Sequence, residues 1–116
     1  MLLKYDEELY EVSLQVFNAF PLVGVVRGQY LCMHGGISPS LKDFADLEIV
    51  DRFVEVPAHG LFCDLLWADP VRDQLAEQRR FTKNNLRSCS VKFGYEPLKK
   101  LLKRTKTSMM LRGHQV

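Results

Sequence analysis

Acid is scarce in the last third of this chain, and long apolar runs are absent throughout. Beyond Glu77 a single carboxylate remains, Glu96, against eleven lysines and arginines. No apolar run approaches the roughly 18 residues that a membrane-spanning helix requires, so no transmembrane helix and no membrane partner is expected. The three cysteines, Cys32, Cys63 and Cys89, are odd in number and show no CxxC spacing. That argues against a disulfide framework and for reduced thiols in a cytoplasmic or nuclear setting. The opening "MLLKYDEELY" turns acidic after four residues, which is wrong for a secretory signal. Internal repeats, low-complexity tracts and linker-like stretches are also lacking. With 116 residues the chain suffices for one small domain with a core and is too short for two.

What charge there is falls unevenly. Residues 1–77 carry a formal balance of −8 and residues 78–116 one of +10. Such a split suits an electropositive surface for phosphate or nucleic acid. It also suits mutual attraction of the two segments, two halves of something larger, or lysines simply solvated on helix faces. Nucleic acid is the weakest of these. Only Phe81, Phe93 and Tyr95 interleave the basic residues, and no nucleic-acid motif matches, so no nucleic-acid partner is expected.

The periodicity predicts a helix over residues 6–20, with Leu9, Val12, Val16 and Phe20 on one face and acidic residues in the first turn. Pro21 stops it. "LVGVV" and "QYLCM" read as two strands joined at Arg27-Gly28, apolar enough to be covered on both faces. Residues 40–50 hold a short helix capped by Ser40, burying Leu41, Phe44, Leu47 and Val50. "LFCDLLWADP" is a second apolar run that places Asp69 at a strand end, and "VRDQLAEQRRFTKNN" is polar and surface-lying. "EPLKKLLKR" is a helix with Pro97 at its first position, and "TSMMLR" is a final strand. The order is that of an α/β protein.

Two histidines share a context. His34 and His114 each follow an apolar strand and lie beside glycine. Ligands in α/β folds bind beyond the carboxyl ends of strands, and Gly35, Gly36 and Gly113 let backbone or ligand come close. An imidazole placed there can take a metal, or can merely hydrogen-bond a carbonyl. Arg87 stands among Ser and Asn in "NNLRSCS", free of acidic neighbours in sequence, and suits either capture of a phosphate or plain surface exposure. Asp69 can serve a site or start an Asp-Pro turn. Trp67 fits the core best, and His59 sits in a surface loop.

Four stretches, in order and at fitting distances, form a pattern: "YLCMHGGISPSL", "DRFVEVPAHGLFCDLLWADP", "RFTKNNLRSCSVKFG" and "LRGHQV". Together they resemble the catalytic domain of the phosphoprotein phosphatases, the metal-dependent Ser/Thr phosphatases. "IVDRFVEVPAHG" and "RFTKNNLRSCS" are most similar to the calcineurin catalytic subunit. The resemblance implies a metallophosphoesterase fold, a β-sandwich flanked by helices. It implies a site with two divalent or trivalent metal ions (Fe, Zn or Mn) that generate a hydroxide and polarise the phosphoryl group. His34 and His114 then correspond to histidine ligands of the second metal, and Arg87 to an arginine gripping the substrate phosphate. Phosphoserine and phosphothreonine proteins become the implied substrates, with a calcium-sensing regulatory subunit and calmodulin as implied partners of the full-length protein.

Departures from the family pattern are as informative. Ser88 follows the phosphate arginine where the family usually has glycine, and Gly113 stands where it usually has alanine. The family's upstream Gly-Asp-x-His-Gly, Gly-Asp-x-Val-Asp-Arg-Gly and Gly-Asn-His-Glu motifs are not found in residues 1–116. They would supply the first metal's ligands, the bridging aspartate and the catalytic acid. Residues 1–116 are therefore expected to be the central part of one phosphatase domain, its fold incomplete at both ends, inactive alone. The alternative is a non-catalytic, phosphatase-like binding module or remnant.

Overall fold

The computed structural model describes residues 4–72 and 77–115. Its first element is helix α1, Glu7–Asn18. Asp6 caps it in an extended conformation, its Oδ1 accepting from the Leu9 amide at 2.8 Å, and Glu7 and Glu8 occupy the positive end of the helix dipole. The helix matches the sequence pattern, but no residue of it is buried: Phe17 is 57 % exposed, and Leu9, Val12 and Val16 also face solvent. The radius of gyration, 15.7 Å, exceeds the roughly 13 Å expected of a compact chain of this length.

Strands β1, Val23–Val26, and β2, Tyr30–Met33, form an antiparallel hairpin. Arg27 and Gly28 both have positive φ, 52° and 65°, and the Gln29 amide donates to the Val26 carbonyl at 3.0 Å. The three-residue loop 27–29 thus begins with two left-handed residues, which give a turn whose twist matches the strands. The expectation of strands covered on both faces fails for β1, where Val25 and Val26 are exposed. Only β2 alternates burial, with Leu31 and Met33 in the core.

Helix α2 is shorter than its pattern, Ala45–Glu48. Ser40 does not cap it. Instead Asp46 Oδ2 accepts from the amides of Lys42 and Asp43 at 2.6 and 2.8 Å, tightening the chain before the helix. Leu41, Phe44 and Leu47 do pack on the core, as the spacing requires. The run "LFCDLLW" is helix α3, Leu61–Trp67, and not a strand. Gly60, at φ 91°, turns the chain into it. An apolar run of seven residues carries no period that separates strand from buried helix, so length alone misleads here.

Strand β3 is only Asp69–Pro70; β4, Phe81–Lys83, and β5, Val91–Phe93, complete a second sheet in the order β3-β5-β4. β4 lies inside the stretch expected to be merely surface-lying; residues 73–76 of that stretch are outside the described residues. Helix α4 runs Tyr95–Thr105, which places Pro97 in the third position of the first turn, where no intrahelical donor is needed. Strand β6, Met109–Arg112, pairs with β2 in parallel, giving a first sheet ordered β1-β2-β6. Leu31 and Met33 from one sheet, Phe93 from the other, Leu65 from α3 and Leu101 from α4 close a single core. No helix among the described residues is long and apolar enough to cross a membrane.

Candidate functional site

The parallel register of β2 and β6 builds the site. Met33 lies opposite Arg112, and one residue further the Gly113 amide donates to the His34 carbonyl at 3.2 Å. Residues 80 positions apart thus leave the two strands side by side. His114, at φ 70°, turns its ring back so that Nδ1 stands 3.1 Å from His34 Nε2. The rings meet edge to face at 4.9 Å, and the Trp67 ring lies edge-on to His114 at 5.5 Å. Trp67 is therefore not a core residue: it is 38 % exposed and flanks the imidazole pair.

Beneath the histidines sits Asp69, fully buried. Its Oδ2 accepts from Arg87 Nε at 3.0 Å and from Asn84 Nδ2 at 2.9 Å. Its Oδ1 accepts from Arg112 Nη2 at 3.2 Å and lies 3.8 Å from His114 Nε2. Burial alone would raise the Asp69 carboxyl, but the hydrogen bonds from Arg87 and Asn84 and the Arg87 charge outweigh it and hold the pKa below its usual value. Arg112 also bonds the Gly35 carbonyl and donates to the Ala68 carbonyl at 3.4 Å and Gln115 Oε1 at 3.0 Å. Arg87 Nη2 donates to the His114 carbonyl at 3.2 Å. Two guanidinium groups against one carboxylate leave the cluster net positive.

The three candidates His34, Arg87 and His114 are thus neighbours, whereas His59 is remote on an exposed loop. Asn84 and Arg112 were not legible as site residues. Asp64 was missed too: buried on α3, it takes Ser38 Oγ at 2.6 Å and Ser90 Oγ at 2.7 Å and so ties the loop carrying Arg87 to the helix. No spacing signal distinguishes these residues; only tertiary pairing does.

The glycines prove to serve packing rather than an open approach. A Cβ on Gly35 would stand 2.6 Å from the Leu66 carbonyl oxygen and the Trp67 nitrogen, and one on Gly36 would strike the Phe93 ring. The close neighbour is thus the backbone of α3, whose Leu65 carbonyl accepts from the Gly35 amide at 2.8 Å. A Cβ on Gly113 would meet only ordinary contact, 3.7 Å from His34 Nδ1.

Metal chemistry can be judged from the donor set. Two nitrogens each about 2.0–2.1 Å from a tetrahedral cation sit about 3.3 Å apart, close to the 3.1 Å between the facing imidazole nitrogens. Burial and the Arg87 charge lower the His114 pKa against the pull of Asp69, which favours the neutral, ligating form. Among the described residues, the buried side-chain atom left without a hydrogen-bond partner is His114 Nε2, the ring nitrogen on the Asp69 side rather than the one that faces His34. Yet no group of three His, Cys, Asp or Glu among the described residues stands close enough to hold an ion. The pair fits as two ligands of a metal and does not make a complete site.

The chain that carries this strand-end imidazole pair and arginine-aspartate cluster is matched almost end to end by a family model. The calcineurin-like phosphoesterase model covers residues 2–116. The chain belongs to that family. It is 42 % identical to the serine/threonine-protein phosphatase 2B catalytic subunit A1 of Saccharomyces cerevisiae, over 99 % of this chain and 22 % of that protein. It is 36 % identical to the A2 subunit of the same yeast, over 99 % of this chain and 23 % of that one. A solved protein serine/threonine phosphatase from S. cerevisiae with similarity to human phosphatase PP5 superposes with a TM-score of 0.82 at 30 % identity, over 97 % of this chain and 34 % of that one. The chain therefore spans between about a fifth and a third of the length of the relatives it matches. This member of the family has the partial metallophosphoesterase fold that the motifs implied, and its family implies divalent metal ions.

Proposed function

We propose that residues 1–116 are the segment of a Ser/Thr protein phosphatase that contributes two histidine ligands, His34 and His114, to one of two metal ions, and Arg87 to substrate phosphate. The observation that carries this is the His34–His114 approach at 3.1 Å with Arg87 bonded to the His114 backbone. Metal ions bound by the full-length protein, of the Fe, Zn or Mn type, supply a hydroxide nucleophile and charge stabilisation. The residues described here hold and orient. Asp69 fixes the Arg87 guanidinium through Nε, and the His114 carbonyl takes one Nη2 hydrogen. The remaining N–H groups are left for a phosphate oxygen. Substrates would be phosphoserine and phosphothreonine proteins. By likeness to the calcineurin catalytic subunits, a calcium-sensing regulatory subunit and calmodulin would be partners, in the cytoplasm or nucleus.

Arg87→Ala in the full-length enzyme tests the reading. It should lower kcat/KM on a phosphoserine peptide by about 10²–10³-fold, while Lys103→Ala, at an exposed site on α4, leaves it unchanged. A folded Arg87→Ala enzyme of normal kcat/KM would overturn it. The incomplete donor set among the described residues favours one further reading for the 116-residue chain alone. It would bind phosphoprotein without turnover, and phosphate release from a phosphopeptide by the isolated chain, lost on Arg87→Ala, would sink that reading.

A further inference from the structure

Away from the histidines a cleft of about 400 Å³ opens between residues 37–42, residues 79–81 and α4. His34, Arg87 and His114 do not line it. Its floor is apolar, formed by Ile37, Leu41, Phe81 and Leu101, of which Ile37, Leu41 and Leu101 belong to the core. Its rim carries five cations, Lys42, Arg79, Arg80, Lys100 and Arg104, all exposed. Among the described residues no carboxylate lines it, and of the five cations only Arg104 has an acidic partner there, Asp43 at 3.4 Å. The nearby acid, Asp46, is turned inward onto the amides of Lys42 and Asp43.

We propose that this cleft docks a short acidic segment of a partner protein, one that carries a bulky apolar side chain flanked by Asp or Glu. The size lies within the range of about 300–1,000 Å³ typical of ligand pockets. Five like charges around one mouth make a positive potential that attracts carboxylates and repels basic segments. Charge alone does not account for the floor. A polyanion without side chains to bury, such as a nucleic-acid backbone, would leave Ile37, Leu41 and Phe81 in contact with water. An acidic peptide with an apolar anchor satisfies both parts, since removing apolar surface from water stabilises the complex while the rim orients it. The cleft is joined to the histidine-bearing segment by chain continuity through Gly35 and Gly36 to Ile37, but its binding does not depend on the catalytic reading.

The test uses the full chain and a fluorescein-labelled peptide, Glu-Asp-Glu-Leu-Phe-Glu-Asp-Glu, followed by fluorescence anisotropy in about 150 mM salt, where charges beyond roughly 8 Å are screened. Saturable one-to-one binding is expected. The double variant Arg80→Glu/Lys100→Glu, whose exposed sites leave the fold intact by circular dichroism, should weaken it about tenfold or more. Replacing Leu-Phe in the probe by Ser-Ser, which needs no protein variant, should also weaken it about tenfold. Equal binding of the Ser-Ser probe or an indifferent double variant would overturn the proposal. So would equally tight binding of an oligothymidylate of the same charge, which would make the rim a general polyanion surface. A wild-type dimer that the double variant abolishes would instead assign the cleft to a second copy of this chain.

Discussion

Asp69 Oδ1 and Arg112 Nη2 lie 3.2 Å apart where β3 begins and β6 ends, and Asp69 is almost wholly shielded from solvent. The same carboxylate also receives Arg87 and Asn84. Two guanidinium groups thus depend on one buried anion. Asp69→Asn removes the charge and leaves both cations facing each other, so it should lower stability by about 3–5 kcal/mol. Arg104→Ala, which breaks only the exposed pair with Asp43, should cost about 0–1 kcal/mol. Urea unfolding of the two variants measures the difference.

The pH dependence follows from the same carboxylate. Burial works to raise its pKa, and the Arg87 and Asn84 hydrogen bonds lower it further than burial raises it, so the folded value lies below 3.8. A depressed carboxyl contributes stability that is present above the unfolded pKa and is lost as pH falls through the folded one. The urea midpoint should therefore show an Asp69 contribution that is steady from neutral pH down to about 5 and then falls below about 4. Asp69→Asn should be less stable at neutral pH and should lose that part of the acid slope.

Gly35 and Gly36 were read from the sequence as letting backbone or ligand come close; protein takes that room at both, and the geometry predicts different penalties. Gly35→Ala would press a methyl group into the backbone of α3, which cannot rotate away. It should destabilise by about 1–3 kcal/mol or more. At Gly36 the obstacle is the Phe93 ring, a side chain that can shift or be trimmed. Phe93→Leu should therefore rescue part of the Gly36→Ala defect and none of the Gly35→Ala defect, as thermal unfolding midpoints would show.

Ser88 has φ 58°, in the left-handed region, and its backbone position favours glycine. The left-handed cost for an L-residue exceeds the extra chain entropy that glycine loses on folding, so Ser88→Gly should stabilise by about 0.5 kcal/mol. A lowered thermal midpoint in that variant would show that the Ser88 side chain makes a contribution its geometry does not reveal.

Local signals were legible where backbone chemistry is local. The apolar spacing of residues 6–20 and Arg27-Gly28 between two apolar runs marked α1 and the hairpin, and the Leu98, Leu101, Leu102 spacing marked α4. The α3 helix was not, because "LFCDLLW" is apolar in both periods and only its packing decides. β4 and β5 are three residues each, and their identity as strands comes from pairing with one another and with β3. In the site, motif order brought out His34, Arg87 and His114. Arg112 and Asn84 became visible only through Asp69, because a buried ion network is defined by residues far apart in sequence. The exposed apolar face of α1, with Leu9, Val12, Val16 and Phe17, shows the limit from the other side: amphipathic spacing marks a face to be covered without saying whether the cover lies within these residues.

The most direct test of the account is a Zn²⁺ titration of the imidazole resonances in a ¹H–¹⁵N spectrum of the chain, because its three histidines include an internal control. His34 and His114, whose facing nitrogens are 3.1 Å apart, should shift or broaden together at equal metal, and His59, exposed on its loop, should not. His34→Gln should abolish the response of His114. If His59 responds as strongly, or if His114 responds unchanged in the His34→Gln chain, the pair is not a shared metal-binding site and the phosphatase reading of these residues fails.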